Sequence, residues 1–152
     1  MSRVRRMHET DLEPVLALAA SLKDAPHWRR EAYLLALDRY ATPRRIALVA
    51  EDSEAASVTG FAVACLIKPQ AELESIAVAE AEQRRGIGRK LFSAMVEQLT
   101  AAGVREVLLE VRASNQRARD FYRSLGWSET GIRPRYYADP EEDAVLMSLK
   151  LA

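Results

Sequence analysis

The chain has 152 residues, 49% of them apolar and 29% charged, and its 22 basic side chains balance 22 acidic ones. One domain spanning residues 1–152 is expected, able to bury about two-thirds of its unfolded surface without staples. The zero net charge argues against a dedicated nucleic-acid binder, and no apolar run reaches the ~20 residues of a bilayer span. The basic start, residues 1–6, lacks the apolar stretch of a signal peptide. One cysteine, Cys65, allows no internal disulfide, and with only His8 and His27 elsewhere it builds no zinc site of the usual kind. The expectation is a cytosolic domain with no structural metal and no membrane partner.

Val4–Met7 reads as a short first strand. Thr10-Asp11-Leu12-Glu13 has the form of a helix-start box, and Leu12, Val15, Leu16, Ala19 and Leu22 follow at helical spacing. Pro26 punctuates; Trp28–Tyr40 reads as a second helix with Tyr33, Leu34 and Leu37 inward, ended by Pro43. Ile46–Ala50, Val58–Ile67 and Leu73–Val78, separated by turn material, predict an antiparallel meander. Ile87–Ala101 is helical, with Leu91, Phe92, Met95 and Leu99 on one face and Gly103 at its end. Val104–Val111 is a strand. Asn115–Leu125 is a short helix with Ala118, Phe121, Tyr122 and Leu125 on one side, stopped by Gly126. Trp127–Ile132 and Ala144–Leu149 predict a last hairpin around an exposed Arg133–Asp143 loop. The sum is an α/β sandwich: one mixed, mostly antiparallel sheet flanked by helices.

The sharpest local signal is Gln83-Arg84-Arg85-Gly86-Ile87-Gly88, between the strand Leu73–Val78 and the helix beginning near Ile87. A helix start exposes unpaired N–H groups and the positive end of the helix dipole. Glycines let the backbone close around an anion, and Arg84, Arg85 and Arg89 add charge. The plain alternative is a glycine-punctuated turn with a solvated basic face. It is not a Walker loop, since no Gly-Lys-Ser/Thr follows. It is not the dinucleotide fingerprint either, since position 91 is Leu.

This turn resembles the coenzyme A loop of the GNAT acetyltransferase superfamily. Leu109-Glu110-Val111-Arg112-Ala113-Ser114-Asn115, then Phe121-Tyr122-Arg123-Ser124-Leu125-Gly126-Trp127, is similar to the C-terminal half of its RimI-type branch. Arg135-Tyr136-Tyr137 and Glu142-Asp143-Ala144 with Met147 extend the likeness, as do Thr10-Asp11-Leu12 and Trp28 near the start. The likeness is dense from Leu73 to Met147 and thin over residues 23–70. RimI-type enzymes acetylate the α-amino group of an alanine N-terminus on a ribosomal protein, so the resemblance implies acetyl-CoA as co-substrate and a protein N-terminal peptide as partner. It also implies pantetheine pairing with the backbone of Ile76, Ala77 and Val78, and a diphosphate on Gln83, Arg84, Arg85, Gly86, Ile87, Gly88 and Arg89.

Acetyl transfer needs a neutral amine, a stabilised oxyanion and a protonated leaving thiolate. The resemblance makes Glu110 the base and Tyr122 the acid. Glu110 stands in an otherwise apolar strand, where a carboxylate must be exposed, paired or functional; a salt bridge to Arg112 or another base is the plain alternative. Tyr122 could instead simply pack beside Phe121 and Leu125. Asn115 is either a helix-start residue or a pantetheine contact. Glu72 and Glu74 are rival bases on the fourth strand, and strict alternation would put them with Ile76 and Val78 on one face. Glu74 departs from the RimI pattern and, with Tyr136 and Tyr137, is a candidate for the substrate pocket; hairpin packing is the alternative for the tyrosines. Trp28 either joins that groove or anchors the second helix. Cys65 reads as a buried strand residue, His8 and His27 as surface residues, and Arg3–Arg6 as a solvated strand edge. A GNAT enzyme acting on a small amine or lysine, and a coenzyme A-binding sensor without turnover, are the competing functions.

Overall fold

The computed structural model describes residues 2–151. Seven strands form one sheet in the order β1-β2-β3-β4-β5-β7-β6. In chain order they are β1 (Ser2–Arg6), β2 (Arg45–Asp52), β3 (Ser57–Ile67), β4 (Gln70–Val78), β5 (Glu106–Arg112), β6 (Ser128–Tyr137) and β7 (Glu142–Lys150). Helices α1 (Leu12–Ser21) and α2 (Arg30–Leu37) cover one face; α3 (Ile87–Ala101) and α4 (Gln116–Ser124) cover the other. All neighbours are antiparallel except β4 and β5, joined by the α3 crossover. That is the expected mixed α/β architecture.

Alternation builds the two cores. Leu48, Ala62, Leu73 and Leu109 face α3 and α4, while Val49, Phe61, Val63 and Ala77 face α1 and α2. On α3 the expected stripe of Leu91, Phe92, Met95 and Leu99 is buried, together with Ile87. Trp127 wedges between α3 and α4, its ring 5.8 Å from Phe92 and 5.5 Å from Tyr122. It is core, not the first residue of a hairpin strand.

Several expectations need correction. The Thr10–Glu13 box does not form, because Asp11 takes the role: its carboxylate accepts from the His8 amide at 2.8 Å and binds Arg5 at 2.8 and 2.9 Å. Glu13 instead meets Arg30. Arg5 and Arg3 both reach Glu51, so the basic start is ion-paired as well as solvated: Arg3 and Arg6 are exposed and Arg5 is largely covered. In α1, Leu18 is buried where Leu16 was expected; Leu16 and Leu22 pack only partly. α2 is shorter than Trp28–Tyr40, and Ala36 rather than Leu34 turns inward, leaving Leu34 exposed. β6 runs on to Tyr137, through the first five residues of the segment expected to be loop. Its pairing with β7 jumps from Arg133 to Tyr137, and Pro134, with no N–H to offer, lies in the bulged stretch.

Asp11 is almost fully buried, and the Arg5 hydrogen bonds hold its carboxyl below the usual aspartate range. A depressed folded value means stability that is full above the unfolded value of about 3.9 and is lost as pH falls through the folded one. Asp11→Asn should therefore destabilise at neutral pH and flatten the acid limb of a urea-unfolding series; an unchanged acid limb would assign that limb to other carboxylates.

Candidate active site

β4 and β5 pair only at Gln70–Glu72 with Glu106–Leu108. Beyond that the strands diverge, so residues 73–78 of β4 have no strand partner on that side. The expected pantetheine-binding stretch, Ile76, Ala77 and Val78, lies in this unpaired segment, with the Gln83 side-chain Nε2 donating to the Val78 carbonyl at 3.0 Å. The opening leads to the start of α3. Gly86 precedes that helix at φ +80°, in the left-handed region, and no side chain caps the free N–H groups. A Cβ on Gly86 would point into open space; one on Gly88 would meet the Phe121 ring at 3.2 Å. Gly86 thus shapes the turn, and Gly88 lets α3 begin against α4. Ile87 is buried as an anchor, while Arg84, Arg85 and Arg89 are exposed around the turn. Arg84 also takes a positive φ of 66°, and Arg85 reaches Glu82. A strand edge with free backbone groups, leading to an uncapped helix end among arginines, fits the amides and diphosphate of a coenzyme A thioester.

Asn115 is the cap of α4: its side-chain oxygen accepts from the Ala118 amide at 3.1 Å. That satisfies the helix-start alternative and leaves the side-chain NH₂ to donate elsewhere.

On the face opposite α3, the sheet carries a charged stripe. A β-bulge shapes it. Val63 pairs with Ser75 but Ala64 with Leu73, so Glu74 is the extra residue. The bulge reverses the alternation of β4: Ala71 and Leu73 face α3, and past the bulge Ile76 and Val78 do. The expectation that Glu72, Glu74, Ile76 and Val78 share a face is therefore overturned. Glu74 is held by Arg45, with Arg45 Nε donating to Glu74 at 2.7 Å and Nη2 at 3.3 Å. Glu110 faces Arg133, Nη1 to carboxylate 3.3 Å, and its neighbourhood raises the Tyr136 phenol above its ordinary value. The ion-pair alternative for Glu110 is thus realised, with Arg133 and not Arg112. Glu72 has no such counter-ion; burial pushes its carboxyl above the usual range, and the charges of Glu110 and Glu74 push it further.

Tyr122 is buried in the core on the α3–α4 face, its ring 5.5 Å from both Phe121 and Trp127. Burial, and secondarily the Tyr137 phenol, push its own phenol well above 10. Tyr137 is pushed up to about 12 by burial and then by Glu110. Its hydroxyl therefore stands in the fields of both Glu110 and Tyr122. Tyr136 is exposed and stacks edge-on against Tyr137 at 5.0 Å, with Arg133 over its other side.

Trp28 meets both of its readings. It packs on Tyr33 at 5.2 Å and also lines a cavity of about 540 Å³ with Arg29, Glu31, Ala32, Leu35 and Arg45. Cys65 is buried beside Arg45, yet burial and Glu74 outweigh the arginine and raise its thiol, which disfavours the thiolate. His8 and His27 are both exposed, as expected, and the His27 ring lies 3.3 Å from the Leu22 carbonyl. Among the described residues no three acidic, histidine or cysteine side chains are set to hold a metal ion, and no helix is long and apolar enough to cross a membrane. Sequence reasoning missed Arg45 as the partner of Glu74. No local pattern links positions 29 residues apart on different strands.

The splayed strand pair and the uncapped helix define an acyltransferase architecture of the kind seen in one family. Residues 8–127 match the family model described as the acetyltransferase (GNAT) family, and the chain belongs to it. The [ribosomal protein bS18]-alanine N-acetyltransferase of Salmonella typhimurium is 42% identical over 107 residues, covering 69% of this chain and 70% of that protein. The protein of the same name from Haemophilus ducreyi is 37% identical over 102 residues, 65% of this chain and 70% of its own. The ribosomal-protein-S18-alanine N-acetyltransferase from Escherichia coli superimposes with a TM-score of 0.84 at 29% identity, covering 100% of this chain and 95% of the other. Chaetomium thermophilum Naa20, solved with a bisubstrate analogue, gives a TM-score of 0.84 at 28% identity, covering 98% and 86%. The protein is an acetyl-CoA-dependent acetyltransferase that resembles the RimI branch.

Glu72 titrates in the field of Glu110. In Glu110→Gln, carboxyl-detected NMR should find Glu72 losing its proton at lower pH than in the parent protein, because one repelling charge is gone. An unmoved Glu72 would mean that burial alone sets it.

Proposed function

We propose that the protein transfers the acetyl group of acetyl-CoA to the α-amino group of a protein N-terminus, an alanine of a ribosomal protein, in the cytoplasm. The acceptor is inferred from the names of the relatives at 37–42% identity. The residue roles come from the family resemblance and are supported by one feature: Glu110 stands on β5 beyond its last pair with β4, and the Tyr137 phenol feels Glu110 and is felt by Tyr122.

The thioester supplies an activated acetyl group. The backbone of Ile76–Val78 and the Gly86–Arg89 turn would align it along β4, with Asn115 offering its side-chain NH₂. The acceptor enters from the opposite face, past Tyr136, Tyr137 and the Arg45–Glu74 pair. Glu110 takes the proton from the amine through a water. An α-amine, with a pKa of about 7.7–8.0, is partly neutral near pH 7 and asks little of a carboxylate; a lysine amine near 10.4 asks more. Tyr122, kept protonated by its burial, donates to the departing sulfur. Direct transfer with no covalent enzyme intermediate fits a chain without an evident Ser/His/Asp set.

Mass spectrometry of peptides with free or blocked N-termini, each with and without lysine, tests the acceptor. Label on the α-nitrogen of alanine peptides is expected; label only on blocked lysine peptides would remove the N-α reading. Tight acetyl-CoA binding without turnover on any amine would favour a sensor. Tyr122→Phe should lower turnover by about 10²-fold or more, and Glu110→Gln should lower it most near neutral pH, both with acetyl-CoA affinity kept. Gly86→Val should instead weaken acetyl-CoA binding, because a branched residue resists the left-handed φ and fills the open approach. Near-normal rates in both Glu110→Gln and Tyr122→Phe would reject the assigned roles.

A further inference from the structure

A clasp outside the roles assigned above fastens the β6–β7 turn to the corner between β5 and α4. Its centre is Arg112, the last residue of β5. Nη1 donates to the Pro140 carbonyl at 3.1 Å and to Glu142 at 3.3 Å; Nη2 donates to the Ala138 carbonyl at 3.3 Å. The guanidinium carbon also sits 4.4 Å from the centre of the Tyr137 ring. The second oxygen of Glu142 accepts from the Ser114 backbone N–H at 2.5 Å, one residue before the α4 cap. Asp143 adds two ties, its carbonyl accepting from the Ala113 amide and its carboxylate from the Arg135 amide, both at 3.0 Å.

Only a planar fork with five donors can serve two carbonyls, a carboxylate and a ring face together. The Arg112–Glu142 pair is mostly shielded, with side-chain exposures of 27% and 17%, so its hydrogen bonds are less screened than those of a surface pair. The side chain held most directly is Tyr137, the group in the field of both Glu110 and Tyr122. None of the clasp residues belongs to β4 or to the turn before α3.

We infer that Arg112 is a positioning residue for the acceptor half of the site. Acting through Glu142 and the face of Tyr137, it holds the β6–β7 turn over the path by which the amine reaches Glu110. This rests on the acceptor side proposed above. A loosened turn misplaces the amine while leaving the thioester seated.

The test uses the full chain with Arg112→Ala, Arg112→Lys and Glu142→Gln, alone and in a Tyr137→Leu background. Arg112→Ala should lower kcat/KM for the acceptor roughly 10-fold or more, with an unchanged acetyl-CoA dissociation constant. Arg112→Lys keeps charge but not the fork, so it should fall between. With Tyr137 already replaced, removing Arg112 should cost little more. Hydrogen exchange at the Ser114 and Arg135 amides should quicken in Arg112→Ala and Glu142→Gln. Exchange does not depend on which amine is acetylated, so it reads the clasp even if the N-terminal acceptor proves wrong. Fully additive losses with Tyr137→Leu, an equal loss of acetyl-CoA affinity, or unchanged exchange at both amides would overturn the inference. If Arg112→Ala does not fold, Arg112→Lys and Glu142→Gln decide by the same criteria.

Discussion

The arrangement depends on one break in pairing. β4 and β5 run parallel for three residue pairs and then part. A parallel pair needs a crossover, here α3, and the crossover begins where the strand ends. The same event therefore leaves a row of backbone groups on β4 without a strand partner and sets an uncapped helix N-terminus at the end of that row. One feature offers amide donors and acceptors along a line; the next offers positive potential at its tip. A long, amide-rich, doubly charged ligand matches both. An unbroken sheet would have satisfied the backbone and offered neither.

The opposite face has a different logic. Its floor carries three carboxylates, Glu72, Glu74 and Glu110, and two guanidiniums, Arg45 and Arg133, in ion pairs with Glu74 and Glu110. Glu74 is held by Arg45 at close range. Glu110 is met more loosely, at 3.3 Å, by an arginine that is 54% exposed and also lies over the Tyr136 ring. Glu72 lacks either arrangement and retains its proton longer than an ordinary glutamate. Alternation keeps Glu72 and Glu74 on one face, and the bulge at Glu74 turns Ile76 and Val78 to the other.

Local patterns were legible. The α3 stripe, the short α4 and the glycine turn are set by residues within one or two turns of each other, so spacing and conformational preference suffice. Non-local choices were not. Thr10 and Asp11 are both competent to cap, and Arg5, arriving from β1, decides for Asp11. β6 read as loop beyond Ile132 because Pro134 and the charged residues around it weaken the strand pattern, yet pairing with β7 resumes at Tyr137. Arg112 read as a possible partner of Glu110; instead it reaches Glu142, 30 residues away, across the hairpin.

From sequence alone come the alternation of helix and strand, the glycine turn between β4 and α3, and the presence of an isolated carboxylate in an apolar strand. Those follow from periodicity, backbone freedom and the cost of burying charge. Tertiary structure alone decided which carboxylates lie together, which arginine each one meets, and how the hairpin is fastened. The reason is physical: side-chain direction on a strand reverses with a single inserted residue. Ion pairs form between atoms brought close by sheet order, which places residue 45 near residue 74 and residue 112 near residue 142.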